Sequence, residues 1–300
     1  MSDKKIIVIG SCNTDMVIKA DRLPVPGETV IGGTFFMNPG GKGANQAVAA
    51  ARLGGKVSFI SKTGNDVFGK QSVELYNSEG INTNYIFSDD DRPSGIALIT
   101  VDSHGENCIV VASGANASLS PADIESARKE IESGDIVLMQ LEIPIETVEY
   151  AAELANKNNI KVILNPAPAR ALSDKLLKST YIITPNESEA EILSGIKVKD
   201  PESAKKAAKV INGKGANIVV ITLGAKGSLI LENGEYHFVD ACKVNAIDTT
   251  AAGDTFSGTL CVGLSEGKSI IESVKMATNA CALAVTRMGA QSSIPYRKEL

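Results

Sequence analysis

Tryptophan is absent from this 300-residue chain and aromatic residues make up only 4% of it, so the core has to be built from Ala, Val, Ile and Leu. That palette suits buried parallel strands with helices packed closely on them. Histidine is nearly missing too: His104 and His237 stand far apart, which leaves Ser/His or Cys/His nucleophilic catalysis almost no base to recruit. Cys12, Cys108, Cys242, Cys261 and Cys281 are odd in number and lack Cys-x-x-Cys spacing, so they indicate neither a disulfide framework nor a zinc site and read as small buried or half-buried residues. The longest apolar stretches, such as Ile6 to Ile9 and Ala47 to Ala51, fall far short of the roughly 18 residues that cross a bilayer. Met1-Ser2-Asp3-Lys4-Lys5 before a short Ile-Ile-Val-Ile run has no signal-peptide core or cleavage site, so a cytoplasmic protein without a membrane partner is expected. A basic excess is also lacking: 30 Lys plus Arg face 35 Asp plus Glu, and no basic stripe is interleaved with aromatics, which argues against nucleic acid. What is present, 43% hydrophobic residues and 27 Gly without a low-complexity tract, excludes disordered and fibrous classes and fits one or two globular domains.

The hydrophobic patterning predicts a first strand over Lys5–Gly10, hairpin material over 15–20 and 29–37 around Leu23-Pro24-Val25-Pro26-Gly27-Glu28, and a helix from Gly41 to Gly54. Ala44, Ala47, Val48 and Ala51 give that helix a small-residue face able to press on a sheet. A strand over 56–61 and a helix near 67–79 follow, then a second hairpin over 95–101 and 106–112. From residue 121 strands and helices alternate: a helix opened by Ser120-Pro121, strands at 136–140, 161–164, 181–184 and 217–222, helices at 145–158, 186–193 and 201–213, a hairpin near 228–239, and helices at about 253–266 and 268–287. Such alternation implies a doubly wound, mainly parallel sheet, with the antiparallel pieces as a small lid interrupting one α/β domain. Sites in such sheets gather where strand ends meet helix starts, which selects Asn13 to Asp15, Gly40 to Asn45, Asn165 with Thr184 to Glu189, and Asp248 to Asp254.

The most specific of these is Asp248-Thr249-Thr250-Ala251-Ala252-Gly253-Asp254. Small residues before a helix leave backbone N–H groups uncovered, a cradle for an anion. Asp254 in the first turn equally suits the helix dipole without any catalytic task. Gly40-Gly41-Lys42-Gly43-Ala44-Asn45-Gln46 is a tight turn or a phosphate-type loop; it is not Walker A, which needs Ser or Thr where Gly43 stands, nor a dinucleotide fingerprint, which needs Gly where Gln46 stands. Gly263-Leu264-Ser265-Glu266-Gly267-Lys268-Ser269 is one residue short of Walker A and reads as a helix–helix turn. Thr222-Leu223-Gly224-Ala225-Lys226-Gly227 wraps a nucleotide phosphate or is a plain turn, and Asn186 with Glu187 and Glu189 is a polar site or an N-cap with acidic first-turn residues.

Together and in this order, these segments resemble the ribokinase family of sugar kinases, the phosphofructokinase-B-type carbohydrate kinases. Both family signatures are present, Gly40 to Gly54 and Asp248 to Gly258, and the resemblance covers essentially the entire chain. It runs strongest toward the ribose-phosphorylating members through Asn13-Thr14-Asp15, Pro26-Gly27-Glu28-Thr29, Met139-Gln140-Leu141-Glu142, Leu164-Asn165-Pro166-Ala167-Pro168-Ala169 and Ile183-Thr184-Pro185-Asn186-Glu187. The fold it implies is one α/β domain over 1–300, a doubly wound sheet flanked by helices, with a discontinuous β-sheet lid from about 12–38 and 84–113 that also makes a homodimer contact.

The activity implied is ATP-dependent phosphorylation of D-ribose at O5. The alternatives are a kinase for 2-deoxyribose or fructose, or a catalytically silent sugar-binding protein. Asn13, Asp15, Gly41, Lys42, Gly43, Ala44, Asn45 and Glu142 would bind the sugar, carboxylates suiting vicinal diols because each oxygen can accept from a hydroxyl. Asp254 would be the base, with no need of a raised pKa, and the N–H groups of Ala251, Ala252 and Gly253 the anion hole. Asn186, Thr222, Leu223, Gly224, Ala225, Lys226, Gly227, Gly253, Thr278 and Asn279 would bind the nucleotide, although relatives often carry Asn or His where Thr278 stands. The resemblance further implies Mg²⁺ near Glu189 through water, and K⁺ held by Asp248, Thr250, Ala284, Arg287, Gly289 and Ser293, several through backbone carbonyls.

Overall fold

Short strands of branched aliphatics, too apolar to alternate, are what a sheet covered on both faces requires, and a computed structural model of residues 4–300 is organised around such a sheet. In chain order the elements are β1 (Lys5–Ile9), β2 (Asn13–Lys19), β3 (Thr34–Gly40), α1 (Lys42–Arg52), β4 (Lys56–Gly64), α2 (Val67–Ser78), β5 (Asn82–Asp89), β6 (Gly95–Val101) and β7 (Asn107–Ala112). Then come α3 (Pro121–Ser126), α4 (Arg128–Glu132), β8 (Ile136–Met139), α5 (Ile145–Lys157), β9 (Lys161–Leu164), α6 (Asp174–Lys178), β10 (Ile182–Ile183), α7 (Glu187–Ser194), α8 (Pro201–Gly213) and β11 (Ile218–Thr222). A hairpin, β12 (Ser228–Glu232) and β13 (Glu235–Val239), precedes the long helices α9 (Ala252–Ser265) and α10 (Ile270–Ala284).

Nine strands form the large sheet in the order β13-β12-β11-β10-β9-β8-β1-β4-β5, parallel from β5 through to β11, with β12 antiparallel at the hairpin. Alternate residues feed two cores. Ile7, Ile9, Val137 and Met139 pack with α5 and α8 on one face, and Ile6, Val8, Leu138 and Ile163 with α1, α9 and α10 on the other. The expected small-residue face of α1 is buried at Ala44, Ala47 and Val48, with Ala51 half-buried. Ala49 and Ala50 are buried as well, because α9 covers that side: a Cβ on Gly258 would stand 2.6 Å from the Gln46 carbonyl, so the two helices meet backbone to backbone. After β1 the chain runs outward through β4 and β5, then returns to lay β8 on the other side of β1. The carboxyl ends of β1 and β8 therefore diverge and leave a crevice, the topological switch point at which open α/β sheets bind ligands.

The smaller sheet, in the order β3-β2-β6-β7, joins the two hairpins through parallel pairing of β2 with β6. Its second segment begins at Gly95, not near 84 as expected. Asn82–Asp89 is instead the edge strand of the large sheet, with Tyr85 opposite Ile60 and Phe87 opposite Lys62. Alternation shows that one face of a strand is covered, but not which sheet covers it; here Tyr85 and Phe87 pack against the main core. That strand and the short helices α4 and α6 are elements the patterning does not anticipate.

Candidate active site

At the switch point the end of β1 continues as Gly10-Ser11-Cys12-Asn13 and the end of β8 as Gln140-Leu141-Glu142. Ser11 Oγ donates to Glu142 Oε2 at 2.6 Å, and the same oxygen accepts the Lys42 amide at 3.0 Å, so Glu142 ties the start of α1 to the crevice. Gly41 has φ +88°, and a Cβ on Gly43 would lie 2.5 Å from the Gly10 carbonyl carbon. These glycines let the helix start lie directly against the strand end. Gly43 and Ala44, implied as sugar-binding, are buried in that contact; they shape the floor of the crevice, because the helix turns them toward β1.

Asp254 lies in the first turn of α9, 5% exposed, with Asn45 Nδ2 donating to one carboxylate oxygen at 3.0 Å and Gln46 Nε2 to the other at 2.9 Å. Burial pushes its pKa up, more than Lys42 and the two amides pull it down, so its acidity is not ordinary even though the chemistry did not demand a raised value. Asp15, on β2, is pushed up to about 6 by burial and then by the charges of Glu142 and Asp254, with Lys42 opposing. Its carboxylate sits against Gly40, where a Cβ would approach to 2.3 Å. Burial pulls the Lys42 ammonium down, but Asp254, Glu142, Glu189 and Asp15 outweigh burial and hold it above its usual range. Asn13 accepts on Oδ1 from Asn116 Nδ2 at 2.7 Å, which turns its own amide N–H₂ away from that contact.

Beside this cluster a cleft of about 190 Å³ is lined by Lys42, Asn186, Glu189, Thr222, Gly253 and Asp254 among others. The helix start there has Ala251 in a left-handed conformation, φ +57°, with no side-chain cap. Of the three expected anion-hole amides, that of Ala252 is directed at the Thr249 carbonyl at 3.2 Å, so the turn itself uses it. Gly253 is exposed, and a Cβ there would meet nothing within 4 Å. Asn186 and Glu189 form a capping box: Asn186 Oδ1 accepts the Glu189 amide at 2.9 Å, and Glu189 accepts the Asn186 backbone and side-chain N–H at 2.9 and 3.0 Å. Burial raises the Glu189 pKa against the pull of the Asn186 amide and Lys42.

The expected nucleotide residues divide in the same way. Leu223 is buried in the core and Gly227, at φ +92°, is demanded by the neighbouring hairpin, since a Cβ would stand 2.0 Å from the Val239 carbonyl; Gly224, Ala225 and Lys226 form the exposed crest. Thr278 is buried and donates to the Val274 carbonyl at 2.9 Å within its own helix, whereas Asn279 is exposed and accepts from Cys242 Sγ at 3.2 Å. Around Asp248, the carboxylate accepts the amides of Thr250 at 2.8 Å and Gly289 at 2.9 Å; burial raises its pKa, but these donors hold it below the usual range. The Arg287 side chain pairs with Glu299 at 2.7 Å and Ser293 Oγ donates to the Ala290 carbonyl at 2.8 Å, so neither side chain is turned to Asp248.

Four polar residues of the cluster had no expected role, Ser11, Gln46, Asn116 and Gln140, and Asn165 was expected only as part of a site junction. Ser11, Gln140 and Asn165 are the first polar residues beyond apolar strands, and Gln46 is a polar residue inside an alanine-rich helix; both are readable signals. Asn116, in a short turn, has none. The sequence profile described as pfkB family carbohydrate kinase matches residues 3–297. The chain belongs to that family. This kinase is similar to a ribokinase of Haemophilus influenzae, 50% identical over 296 residues that cover 99% of this chain and 97% of that one. It is also similar to a deoxyribokinase of Salmonella typhi, 38% identical over 291 residues covering 97% and 95%. Among solved structures, a ribokinase of Arabidopsis thaliana complexed with ribose and ATP superposes with a TM-score of 0.92 at 32% identity, covering 99% of the kinase and 97% of that chain.

Proposed function

We propose that the kinase transfers the γ-phosphoryl group of ATP to O5 of D-ribose, giving D-ribose 5-phosphate and ADP. The observation that carries this is the Asp254 carboxylate, held by two amide donors at the start of α9 and facing the same crevice as Asn13, Asp15, Lys42 and Glu142. Asp15, Glu142 and the Asn13 amide offer acceptors and a donor to the ring hydroxyls. Asp254 aligns O5 and takes its proton late in a loose transfer, a task that a raised pKa assists. The exposed Gly253 amide and the positive end of α9 stabilise charge on the transferred group. Lys42 is the single ammonium among four carboxylates and compensates the nucleotide's charge.

Mg²⁺, bound with ATP, would neutralise phosphate charge. Glu189, buried and lining the cleft, would hold that ion through water, since Mg²⁺ gives up its hydration reluctantly. K⁺ fits the Asp248 loop. One ionised carboxylate there adjoins the last turn of α10, where the Ala284 carbonyl accepts the Arg287 amide at 3.0 Å and keeps a second lone pair, and Thr250, Ala284, Arg287, Gly289 and Ser293 would contribute backbone oxygen. A homodimer through the lid is supported by register. Asp15 pairs with Asn38 and Ala97 on the face toward the crevice, so Met16, Ile18, Phe35, Met37, Leu98 and Val110 share the opposite face, and the last five of them are exposed.

Similarity to a deoxyribokinase makes 2-deoxyribose the competing substrate. A sugar panel with ATP and Mg²⁺, run with K⁺ and with a bulky inert cation, tests the reading. Ribose is expected to exceed 2-deoxyribose in kcat/KM by up to about 10⁴-fold, since polar groups built around a hydroxyl are left unpaired by its absence. Equal values assign the site to 2-deoxyribose as well, and absence of ADP release with every sugar overturns the kinase reading.

A further inference from the structure

The hydrogen bonds that hold Asp254 continue outward through further buried amides. Gln46 is fully buried on α1; its Nε2 donates to Asp254 at 2.9 Å and to Asn165 Oδ1 at 3.0 Å, and its Oε1 accepts Gln140 Nε2 at 2.6 Å. Asn165 Nδ2 in turn donates to the Thr184 carbonyl at 3.2 Å. Reversing the Gln46 amide would set its oxygen against two acceptors and its N–H₂ against the N–H₂ of Gln140, so its orientation is determined by its neighbours. Gln140 accepts a cost to do this. Its Oε1 is buried without a partner and presses on Gly10, where a Cβ would stand only 2.0 Å away. An unpaired buried oxygen is destabilising, a penalty the fold carries while keeping the donor end of Gln140 on Gln46.

We propose that Gln46 is a positioning residue for phosphoryl transfer: fixed in one orientation by Gln140 and Asn165, it sets the plane of the Asp254 carboxylate and so the oxygen presented to the sugar hydroxyl. Asn45 holds the other oxygen, but its own Oδ1 is buried and unpaired, so no protein partner fixes that end of its amide; Gln46 has both ends occupied within the protein. The inference rests on the sugar-kinase reading. The charged and titratable groups around Asp254 are Lys42 from α1, Glu142 beyond β8, Asp15 from β2, Glu189 from α7 and Cys281 from α10. None is altered by the variants below.

Gln46→Met keeps the side chain's length and removes the donor. It is expected to lower kcat about 10- to 100-fold, to leave KM for sugar and ATP within about threefold, and to move the acid limb of the kcat–pH profile upward, because the ionised carboxylate has lost a hydrogen bond. Gln140→Met touches neither Asp254 nor substrate and leaves Gln46 free to turn; a fall in kcat of about three- to tenfold with the same direction of shift is expected. A folded Gln46→Met enzyme with kcat within about twofold of the parent and an unmoved acid limb overturns the proposal, as does a rise in KM with kcat unchanged. Failure of both variants to fold assigns the amides to stability and overturns it too. The parent enzyme is assayed alongside: no turnover by the parent counts against the kinase reading itself, whereas an active parent with unaffected variants counts against Gln46 alone.

Discussion

Asp254 is buried yet needed as a charge, and the two amide donors from α1 are what reconcile those demands. Asp254→Asn is isosteric and keeps the packing, so binding of ATP and ribose should persist while kcat falls by at least about 10²-fold; calorimetry and steady-state kinetics check the two halves. Asp15 shows the same conflict in measurable form. Its folded-state pKa of about 6 lies above the ordinary aspartate value of 3.8, so ionising it costs stability; the penalty sets in as pH rises above the unfolded value and is complete above about 6. Asp15→Asn should therefore raise stability at pH 7 by about 1–3 kcal/mol while raising KM for the sugar, and in the parent KM should rise as pH falls through about 6 and the carboxylate is lost as an acceptor. Thermal melts and KM measured from pH 5 to 8 decide it. Asp254 was legible because two aspartates flank a bare Ala-Ala-Gly turn. Gln46 was legible only as a polar residue in an alanine-rich helix and its partner was not, since a residue 208 positions away in sequence supplies its acceptor.

Helix starts separate two uses of glycine that look alike in a motif. At Gly43 a Cβ would strike the backbone of Gly10 and Ser11 at 2.5–2.7 Å, whereas at Gly253 it would meet nothing within 4 Å. Gly43→Ala should thus destabilise the fold by about 1–3 kcal/mol as α1 is pushed off β1, with KM for the sugar rising. Gly253→Ala should melt like the parent but lose turnover if phosphate has to approach that backbone. Circular-dichroism melts paired with kcat separate the cases, and a Gly253→Ala enzyme of parental activity would show that no phosphate lies close there. Element types were largely readable, because long periodic stretches such as Pro201–Gly213 and the apolar strands leave little choice. Strand β5 was not, because its alternating residues suit either sheet equally until β4 pairs with it.

At the scale of the whole molecule, the small sheet offers water an apolar face at Phe35, Met37, Leu98 and Val110, 51–69% exposed. Contiguous exposed apolar patches of this size are where proteins associate, which gives the proposed dimer its test. The kinase should sediment as a dimer at micromolar concentration and Val110→Asp should shift it toward monomer; a parent that is monomeric throughout the range removes the lid as a dimer contact.

Composition and periodicity by themselves determined an aromatic-poor α/β sheet, its doubly wound order of elements and the segments at which chemistry gathers, since these follow from local pattern and from where polar residues interrupt apolar strands. Only the tertiary structure decided which motif residues face the crevice. It turned Gly43, Ala44, Leu223 and Thr278 into packing, committed the Ala252 amide to its own turn, and joined Gln46 to Asp254. Burial, pKa and amide orientation depend on which distant strands and helices come within hydrogen-bond reach, and that is a property of the assembled sheet rather than of any window of sequence.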